Sequence, residues 1–247
     1  MPLPLALAHQ RYTQQAGWTT QLRRHIFTRA GLPNAQRVLE IGCGTGAILG
    51  SISSGRAKLF GLDIDHPSLE LAKANAKSAI LVRGNAHRLP FANGSFDISF
   101  FHFVLLWLSD PVRALMEARR ATRSGGAVIA FAEPDYSQRK GESAGLARLN
   151  EMQIESLRAQ GADPNLGSRL NELFIASGIR VEEFGQLDPF IEMPANHDLE
   201  LELQIIKDDI RPYLATEELD RLIFDLRESR DLVKFHLPTY FCWGWLE

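Results

Sequence analysis

The fold of this 247-residue chain is decided by residues 38–46, which read VLEIGCGTG. An apolar run that ends in alternating glycines predicts a short buried strand followed by a tight turn. Glycines there let a ligand press directly on the backbone, because side chains would collide with it. We expect a helix to begin near Thr45, with free N–H groups and a positive dipole end facing an anionic group of that ligand.

A second apolar run, residues 59–62, ends at Asp63. A carboxylate at the end of the second strand can accept hydrogen bonds from both hydroxyls of a ribose. The glycine turn and the strand-end acid together predict a cofactor that contains a nucleoside. The pattern leaves its identity open, since Gly42, Gly44 and Ala47 also satisfy the loose dinucleotide pattern of a nicotinamide-dependent dehydrogenase.

Glu40, two positions before Gly42, and a third glycine at Gly46 give the form Glu-x-Gly-x-Gly-x-Gly. This form resembles the first motif of the class I S-adenosylmethionine-dependent methyltransferases, in particular the small-molecule type 11-like members. The resemblance covers roughly residues 35–135. Residues 85–97, NAHRLPFANGSFD, look like that family's adenine loop and the entry to its fourth strand, and residues 108–111 and 124–126 are similar to its next helix and fifth strand.

The resemblance implies S-adenosylmethionine as methyl donor and S-adenosylhomocysteine as product. Asp63 would bind the ribose and Ile64 would pack on adenine. Asn85 stands where the family often has Asp, so its amide oxygen would accept from the exocyclic amine of adenine without charge assistance. Cys43 would contribute backbone only. The residues predicted to contact the cofactor are Tyr12, Glu40, Gly42, Cys43, Gly44, Gly46, Asp63, Ile64, Asn85, Ala86 and Phe101.

Two residues are candidates for catalysis. His102 lies near the end of the fourth predicted strand, where a base of near-neutral pKa would be useful; the alternative is a packed histidine hydrogen-bonded to backbone. Glu133 follows the fifth strand and would orient or deprotonate the acceptor; the alternative is an acid that caps a loop. No metal site is predicted, because Glu133, Asp135 and Glu142 match a metal-dependent site only loosely.

Composition narrows the function classes. Lys and Arg number 27 and Asp and Glu 30, giving a net charge of −3, which does not favour a large nucleic-acid surface. The signatures of enzymes that methylate nucleic-acid bases are missing as well. The two cysteines make no disulfide framework, and no apolar run approaches the length of a membrane span. We therefore expect a cytoplasmic protein, monomeric or homodimeric, that binds neither nucleic acid nor membrane.

Alternating strand and helix patterns predict an α/β fold. We expect a Rossmann-like, doubly wound, mostly parallel seven-stranded sheet with an antiparallel edge hairpin and a C-terminal helical insertion. The whole chain would be one methyltransferase domain. Residues 1–34 would form an N-terminal helical cover, 35–135 the cofactor-binding core, and 136–247 the substrate side with a helical lid at about 197–230. Strands are expected at 37–41, 58–63, 80–82, 97–104, 127–132, 180–193 and 237–245.

The acceptor is expected to be an oxygen or nitrogen of a small apolar or aromatic metabolite. This interpretation depends on aromatic side chains that would line a substrate pocket: Tyr136, Phe190, Tyr213, Tyr240, Phe241, Trp243 and Trp245. Arg139 and Lys140 are expected on a solvated loop. The alternatives are a non-catalytic module that binds S-adenosylmethionine, for which Asn85 is the one indication, and the nicotinamide-dependent dehydrogenase.

Overall fold

The computed structural model describes residues 4–53, 55–139, 144–187, 196–229 and 237–247. Within them one seven-stranded sheet has the order β3-β2-β1-β4-β5-β7-β6. The strands are β1 (Arg37–Ile41), β2 (Lys58–Asp63), β3 (Ile80–Arg83), β4 (Phe96–Phe101), β5 (Thr122–Pro134), β6 (Arg180–Leu187) and β7 (Thr239–Trp245). β1 to β5 are parallel, and β7 lies antiparallel between β5 and β6.

Helices cover both faces of this sheet. Their bounds are α1 (Leu5–Trp18), α2 (Thr20–Arg29), α3 (His66–Asn75), α4 (Pro111–Ala121), α5 (Ala144–Ala159), α6 (Leu170–Ala176), α7 (Asn196–Ile210) and α8 (Thr216–Ser229). The start of α4 follows from its sequence, since the Asp110 carboxylate accepts from the Arg113 N–H at 2.8 Å and Pro111 takes the first helical position. None of the described helices has both the length and the apolarity needed to cross a bilayer.

Two hydrophobic clusters fill the two faces of the sheet. Neighbouring strand residues point to opposite faces, so Leu39 of β1 joins one cluster, with Leu115 of α4, while Val38 joins the other, with Phe27 of α2. Leu39 and Val38 are both fully buried. Burial on both faces explains why the central strands are almost continuously apolar.

The C-terminal part adds a third hydrophobic cluster away from the sheet. It joins α5 to the two helices that lie between β6 and β7, through Leu149, Leu203, Ile206, Leu219 and Ile223 among others. The predicted edge hairpin with a helical insertion is therefore present, and the predicted fold class is confirmed. Residues 188–193 of the predicted sixth strand lie outside the described residues.

The prediction of a helix that begins near Thr45 is wrong. The segment after the glycine turn contains only a single 3-10 turn at Leu49–Ser51. Gly46 has a φ of +79°, outside the helical region, and a Cβ on Gly50 would meet the Asn75 carbonyl oxygen at 2.4 Å, so this segment packs closely against the end of α3. The argument from a helix dipole at this turn therefore does not apply, and any ligand there would be bound by loop backbone.

The ends of two strands also differ from the predicted ones. β4 ends at Phe101, three residues before the predicted end, and Phe103 has a φ of +55°. A left-handed non-glycine residue cannot continue a strand, so the chain turns at this point. β5 is longer than predicted, because pairing with β7 extends to Pro134 across an irregularity between Ala130 and Glu133.

Candidate functional site

The glycine turn forms an open backbone cradle between β1 and the 3-10 turn. Gly42, Gly44 and Gly46 have φ values of +77°, +48° and +79°, which side-chain-bearing residues rarely adopt. A Cβ on Gly42 would meet both Val104 methyl groups at 2.6 Å, and one on Gly44 would lie 3.4 Å from the Tyr12 ring. The cradle is thus bounded by the β4 end on one side and by α1 on the other.

Asp63 is held against this cradle by backbone. Its two carboxylate oxygens accept from the Gly44 N–H at 2.7 Å and from the Asp65 N–H at 2.9 Å. A carboxylate has about four lone-pair sites, so these two bonds leave capacity for further donors such as ribose hydroxyls. Asp63 is half-buried, so solvent or a ligand can reach part of the residue. The predicted strand-end acid and the predicted glycine loop therefore meet.

Cys43 faces the interior. Its N–H donates to the Leu62 carbonyl at 3.0 Å, and its Sγ would lie 2.8 Å from a Cβ on Gly61. Burial raises the pKa of the thiol, with the charges of Glu40 and Asp63 acting in the same direction. The thiol is therefore a packing group, and the backbone carbonyl of Cys43 accepts from the Gly46 N–H at 2.9 Å, so contact of Cys43 with a ligand stays a prediction.

Glu40 is buried beneath the cradle with one oxygen, Oε2, that lacks a hydrogen-bond partner. Burial raises the pKa of this carboxyl well above its usual range, against the opposing effects of Arg23 and of the Leu49 N–H. Buried polar atoms are normally satisfied. An unsatisfied acceptor next to an open glycine loop fits a ligand that brings a hydrogen-bond donor.

The residues predicted on the adenine side of the site differ in how accessible their side chains are. Ile64, just after β2, exposes 62 % of its surface and is available for stacking. Asn85 uses its amide oxygen to accept from the His87 N–H at 2.8 Å, and Ala86 is buried. Phe101 is fully buried in the core cluster of Leu39 and Leu115, so only its backbone can reach a ligand. Contacts of these residues with adenine stay predictions.

The N-terminal helix is fixed over the glycine loop. The His9 Nδ1 lies 2.7 Å from the Thr45 hydroxyl, and Asn75 donates to the Thr45 carbonyl at 3.0 Å. One helical turn after His9, the Tyr12 ring lies over Gly44. The pKa of Tyr12 is raised, first by burial and then by the negative charge of Asp63. The structure thus places Tyr12 at the cradle, where the sequence predicted it.

His102 lies inside the protein rather than in the cleft. It is buried, its Nε2 lies 2.9 Å from the Thr19 hydroxyl, and Arg23 donates to the same hydroxyl. Burial and then the charge of Arg23 lower the pKa of His102 to about 3. A buried histidine with so low a pKa is a weak base. The geometry therefore favours the alternative of a packed histidine, although its hydrogen-bond partner is the Thr19 side chain and not the backbone.

Glu133 is also enclosed. Its Oε1 accepts from the N–H groups of Val104 and Leu105, each at 2.9 Å, and its Oε2 accepts from that of Leu106 at 3.1 Å. Burial raises its pKa to about 7, while these three N–H groups act in the opposite direction. The carboxylate caps the 3-10 turn that follows β4, and so the geometry favours the predicted alternative of a capping acid.

Arg139 is not on a solvated loop, contrary to expectation. Its guanidinium lies over the Tyr136 ring with Cζ 4.9 Å from the ring centroid and donates to the Gln153 side chain at 2.5 Å. Arg11 of α1 interacts electrostatically with both Arg139 and Tyr136, as does Asp209 of α7. We call these five residues, Arg11, Tyr136, Arg139, Gln153 and Asp209, the twin-arginine cluster. Lys140 lies outside the described residues.

The aromatic side chains of β7 do not line a pocket. Phe241 and Trp243 are buried in the core on the α2 side of the sheet. Tyr240 stacks on Phe184 at 5.8 Å and donates to Gln138. Trp245 packs at the edge of that core, Tyr213 is surface-exposed, and Phe190 lies outside the described residues. Alternation along an internal strand explains this, since every β7 side chain faces one of two packed layers.

Aromatic rings do meet at the end of β4. Trp18 packs edge-on against Phe103 with ring centroids 6.4 Å apart, and the Arg11 Cζ lies 4.9 Å from the Trp18 ring centroid. The Nε1 of Trp18 is buried without a hydrogen-bond partner. In the described part of the chain no group of three or more His, Cys, Asp or Glu side chains is placed to hold a metal ion.

Comparison with known proteins agrees with this geometry. Residues 39–130 match a family model described as "Methyltransferase domain". The match covers the glycine cradle, Asp63 and all of β2 to β4, so the resemblance stated from the sequence is confirmed for the core of the chain.

Similar proteins carry methyltransferase names. A malonyl-[acyl-carrier protein] O-methyltransferase of Erwinia pyrifoliae is 34 % identical over 122 residues, which are 49 % of this chain and 47 % of that protein. A demethylmenaquinone methyltransferase of Renibacterium salmoninarum is 30 % identical over 122 residues, 49 % of this chain and 52 % of that protein. The chain spans about half the length of the curated relatives it matches.

A solved structure resembles most of the chain. Haemonchus contortus phosphoethanolamine N-methyltransferase 2, in complex with S-adenosyl-L-methionine, has a TM-score of 0.63 and 18 % identity, over 92 % of this chain and 52 % of that one. At this identity the likeness shows the fold alone. The β6, α7, α8 and β7 elements therefore complete a class I methyltransferase fold around the methyltransferase domain.

Four residues of the site were missed by sequence reasoning. His9 holds the N-terminal helix on the glycine loop, and Arg23 interacts electrostatically with Glu40. Gln153 and Asp209 complete the twin-arginine cluster. A signal existed for His9, which precedes Tyr12 by three and so shares its helical face. The others come together only through tertiary packing of distant segments.

Proposed function

We propose that this chain is an S-adenosylmethionine-dependent methyltransferase that transfers a methyl group to an oxygen or nitrogen of a small molecule. The observation that carries the proposal is the cradle at the end of β1. Gly42 and Gly44 leave left-handed backbone partly exposed, the Asp63 carboxylate is fixed against Gly44, and the Glu40 Oε2 is buried without a hydrogen-bond partner. A cofactor with a ribose diol and an ammonium group complements these features.

The residues present fit that cofactor. Asp63 would hold the ribose, the glycine loop and Glu40 the methionine end, and Ile64 the adenine face, with Tyr12 closing the cradle from above. When bound, the cofactor's sulfonium supplies an already activated methyl group. The protein then has to align the acceptor, exclude water and, where needed, remove one proton.

The acceptor would lie at the carboxyl end of the parallel strands, beside Trp18, Phe103 and Tyr136. Ligands of open α/β sheets gather at this edge. These rings support an acceptor with an apolar or aromatic part. For Glu133 we propose a positioning role, since it fixes the backbone of residues 104–106 next to that space. General-base catalysis by His102 or Glu133 stays a prediction.

Calorimetric titration tests the cofactor assignment. We expect S-adenosylhomocysteine to bind the wild type and NADH not to bind. Asp63→Asn should weaken binding roughly ten- to a hundredfold, since it removes a charged partner worth about 1.5–3 kcal/mol. Asp97→Asn is the matched control, because Asp97 also accepts two backbone N–H groups, from Gln36 and Arg37, but at the opposite end of the sheet.

Three outcomes would contradict the proposal. They are binding of NADH instead of the sulfur ligands, equal affinity of wild type and Asp63→Asn, or the same loss in Asp97→Asn. Tight binding of S-adenosylmethionine without methyl transfer to a broad pool of acceptors would favour the non-catalytic binding module.

A further inference from the structure

The loop of residues 84–95, which joins β3 to β4, is tied to α4 by side chains of that helix. The Arg120 guanidinium donates to the Leu89 carbonyl at 3.1 Å and to the Phe91 carbonyl at 2.8 Å. The Leu89 N–H donates to the Glu117 Oε2 at 2.9 Å. We call Glu117 and Arg120 the loop clamp, because together they satisfy three backbone groups of this loop.

The loop clamp is itself held together by charge. Glu117 and Arg120 lie one helical turn apart, and the guanidinium donates to both carboxylate oxygens, at 2.9 Å from Nε to Oε1 and at 2.8 Å from Nη2 to Oε2. The hydrogen bond with Arg120 lowers the pKa of Glu117, so its carboxylate is ionised at neutral pH. A guanidinium that makes two parallel bonds to a carboxylate is fixed in orientation as well as in position. The clamp therefore holds the backbone of the loop at a defined distance from α4.

The same helix reaches the residues predicted on the adenine side. The Asn85 Oδ1 accepts from the His87 N–H at 2.8 Å, and the His87 carbonyl accepts from the Arg113 Nε at 3.3 Å. Arg113 lies one helical turn before Glu117, with a guanidinium nitrogen 3.7 Å from the Glu117 Oε1. The orientation of the Asn85 amide is therefore connected to α4 through the backbone of His87.

Apolar packing anchors the loop independently of the clamp. The Leu89 side chain is buried in the hydrophobic core. The Phe91 ring packs edge-on against Phe96, with ring centroids 4.9 Å apart. These contacts keep the loop side chains in place, whereas the clamp acts on the loop backbone. We therefore expect loss of the clamp to loosen the backbone of residues 84–95 without unfolding the protein.

We propose that Glu117 and Arg120 are positioning residues for cofactor binding, which fix the loop in the conformation from which Asn85 and Ala86 contact adenine. This inference rests on the proposed methyltransferase function and assigns a further role within its cofactor site. The Asn85 amide oxygen accepts without charge assistance, so its hydrogen bond to the exocyclic amine depends on accurate placement. A loop that is already ordered also spares the cofactor the free energy of ordering it.

Calorimetric titration with two ligands that differ at the base tests the inference. They are S-adenosylhomocysteine and S-inosylhomocysteine, in which an oxygen replaces the exocyclic amine of adenine. We expect the wild type to prefer the adenosyl ligand, since only its amine donates to Asn85. Arg120→Gln should weaken S-adenosylhomocysteine about five- to thirtyfold, the cost of ordering one residue on binding, and should weaken the inosyl ligand less. A lower stability of the fold alone would leave the preference between the ligands unchanged.

Amide exchange supplies a second readout, which needs no ligand. The Leu89 N–H is bonded to Glu117, so exchange in residues 84–95 should be faster in Arg120→Gln than in the wild type. Exchange in β1 should be unchanged. Arg120→Lys keeps the charge beside Glu117 without the planar set of donors, and it should lie between Arg120→Gln and the wild type in both measurements.

Arg123→Gln is the matched control. The Arg123 guanidinium pairs with Asp97 at 2.7 Å and donates to the Ser124 carbonyl at 2.9 Å, and both partners lie outside the loop. This variant should bind both ligands and exchange its amides as the wild type does. The inference is overturned if Arg120→Gln keeps both its affinity and its preference between the ligands, if both ligands weaken by the same factor, or if Arg123→Gln shows the same losses.

The affinity of the wild type for S-adenosylhomocysteine separates this inference from the larger proposal. If the wild type binds that ligand and Arg120→Gln binds it equally well, the clamp inference fails and the methyltransferase proposal stands. The same holds if the wild type binds the two ligands equally, because Asn85 would then not distinguish the bases. If the wild type does not bind S-adenosylhomocysteine, both proposals fail.

Discussion

Glu133 is fully buried at the end of β5, yet its carboxyl accepts from three backbone N–H groups. The three bonds fix the turn of residues 104–106 beside the cradle, where the Val104 methyl groups abut Gly42. The Glu133 side chain therefore links the end of β5 to the turn after β4, and Val104 of that turn abuts the end of β1. At the scale of the residue, the properties of the Glu133 carboxyl are set by its burial and its hydrogen bonds to backbone.

That burial predicts a pH dependence of stability. The pKa of Glu133 rises from its ordinary 4.5 to about 7 on folding, so the folded state holds a proton that the unfolded state releases. Stability from this group is full below pH 4.5 and is lost as pH rises to 7, by about 2–3 kcal/mol between pH 5 and pH 8. Glu133→Gln cannot titrate, so its unfolding free energy should fall less over this range. Urea unfolding at both pH values measures it.

Glu117→Gln is the matched control for that experiment. The hydrogen bond with Arg120 lowers the pKa of Glu117, so Glu117 is ionised at both pH values whether the chain is folded or not. Its replacement should shift both unfolding free energies by a similar amount and leave their difference unchanged. An unchanged difference in Glu133→Gln would mean that Glu133 is already ionised at pH 5 in the folded protein.

At the scale of the element, α1 determines access to the cradle. α1 is held on the glycine loop by the His9–Thr45 hydrogen bond and by the Tyr12 ring, which lies over Gly44. His9→Ala should speed amide exchange in residues 5–18 and weaken S-adenosylhomocysteine about two- to tenfold, since one hydrogen bond contributes about 0.5–1.5 kcal/mol. Exchange mass spectrometry and calorimetry measure the two effects.

Gln10→Ala provides the comparison, because Gln10 lies next to His9 on the exposed side of the same helix. It should leave both amide exchange and affinity near wild-type values. Faster exchange in His9→Ala without any change in affinity would show that α1 covers the loop without contributing to cofactor binding.

Sequence reasoning succeeded where the structure depends on local pattern. β1 and β2 were predicted to the residue, because apolar runs between turn residues define strands buried on both faces. It failed for the helix expected after the glycine turn, where the segment forms only a 3-10 turn at Leu49–Ser51 and packs closely against the end of α3. It also misjudged Arg139 and the β7 aromatics, since burial of one segment by another is a long-range property that a local pattern does not contain.

At the scale of the whole molecule, the described residues form two packed regions. The sheet and its flanking helices carry the glycine cradle, and a separate hydrophobic cluster joins α5, α7 and α8. Asp209 of the twin-arginine cluster belongs to α7, and Gln153 to α5. The twin-arginine cluster therefore draws on this helical layer, whereas the contacts of the glycine cradle described above do not.

The separation of the two packed regions predicts that a mutation in the helical layer has little effect on binding at the glycine cradle. Leu149 is fully buried in the helical layer, so Leu149→Ala should destabilise that layer by about 2–5 kcal/mol and speed amide exchange in α7 and α8. Affinity for S-adenosylhomocysteine should stay within about twofold, because binding at the cradle draws on other contacts. Leu39→Ala, in β1 beside Glu40, is the contrasting variant and should lower that affinity. If Leu149→Ala abolished cofactor binding, the helical layer and the sheet would have to unfold as one cooperative unit.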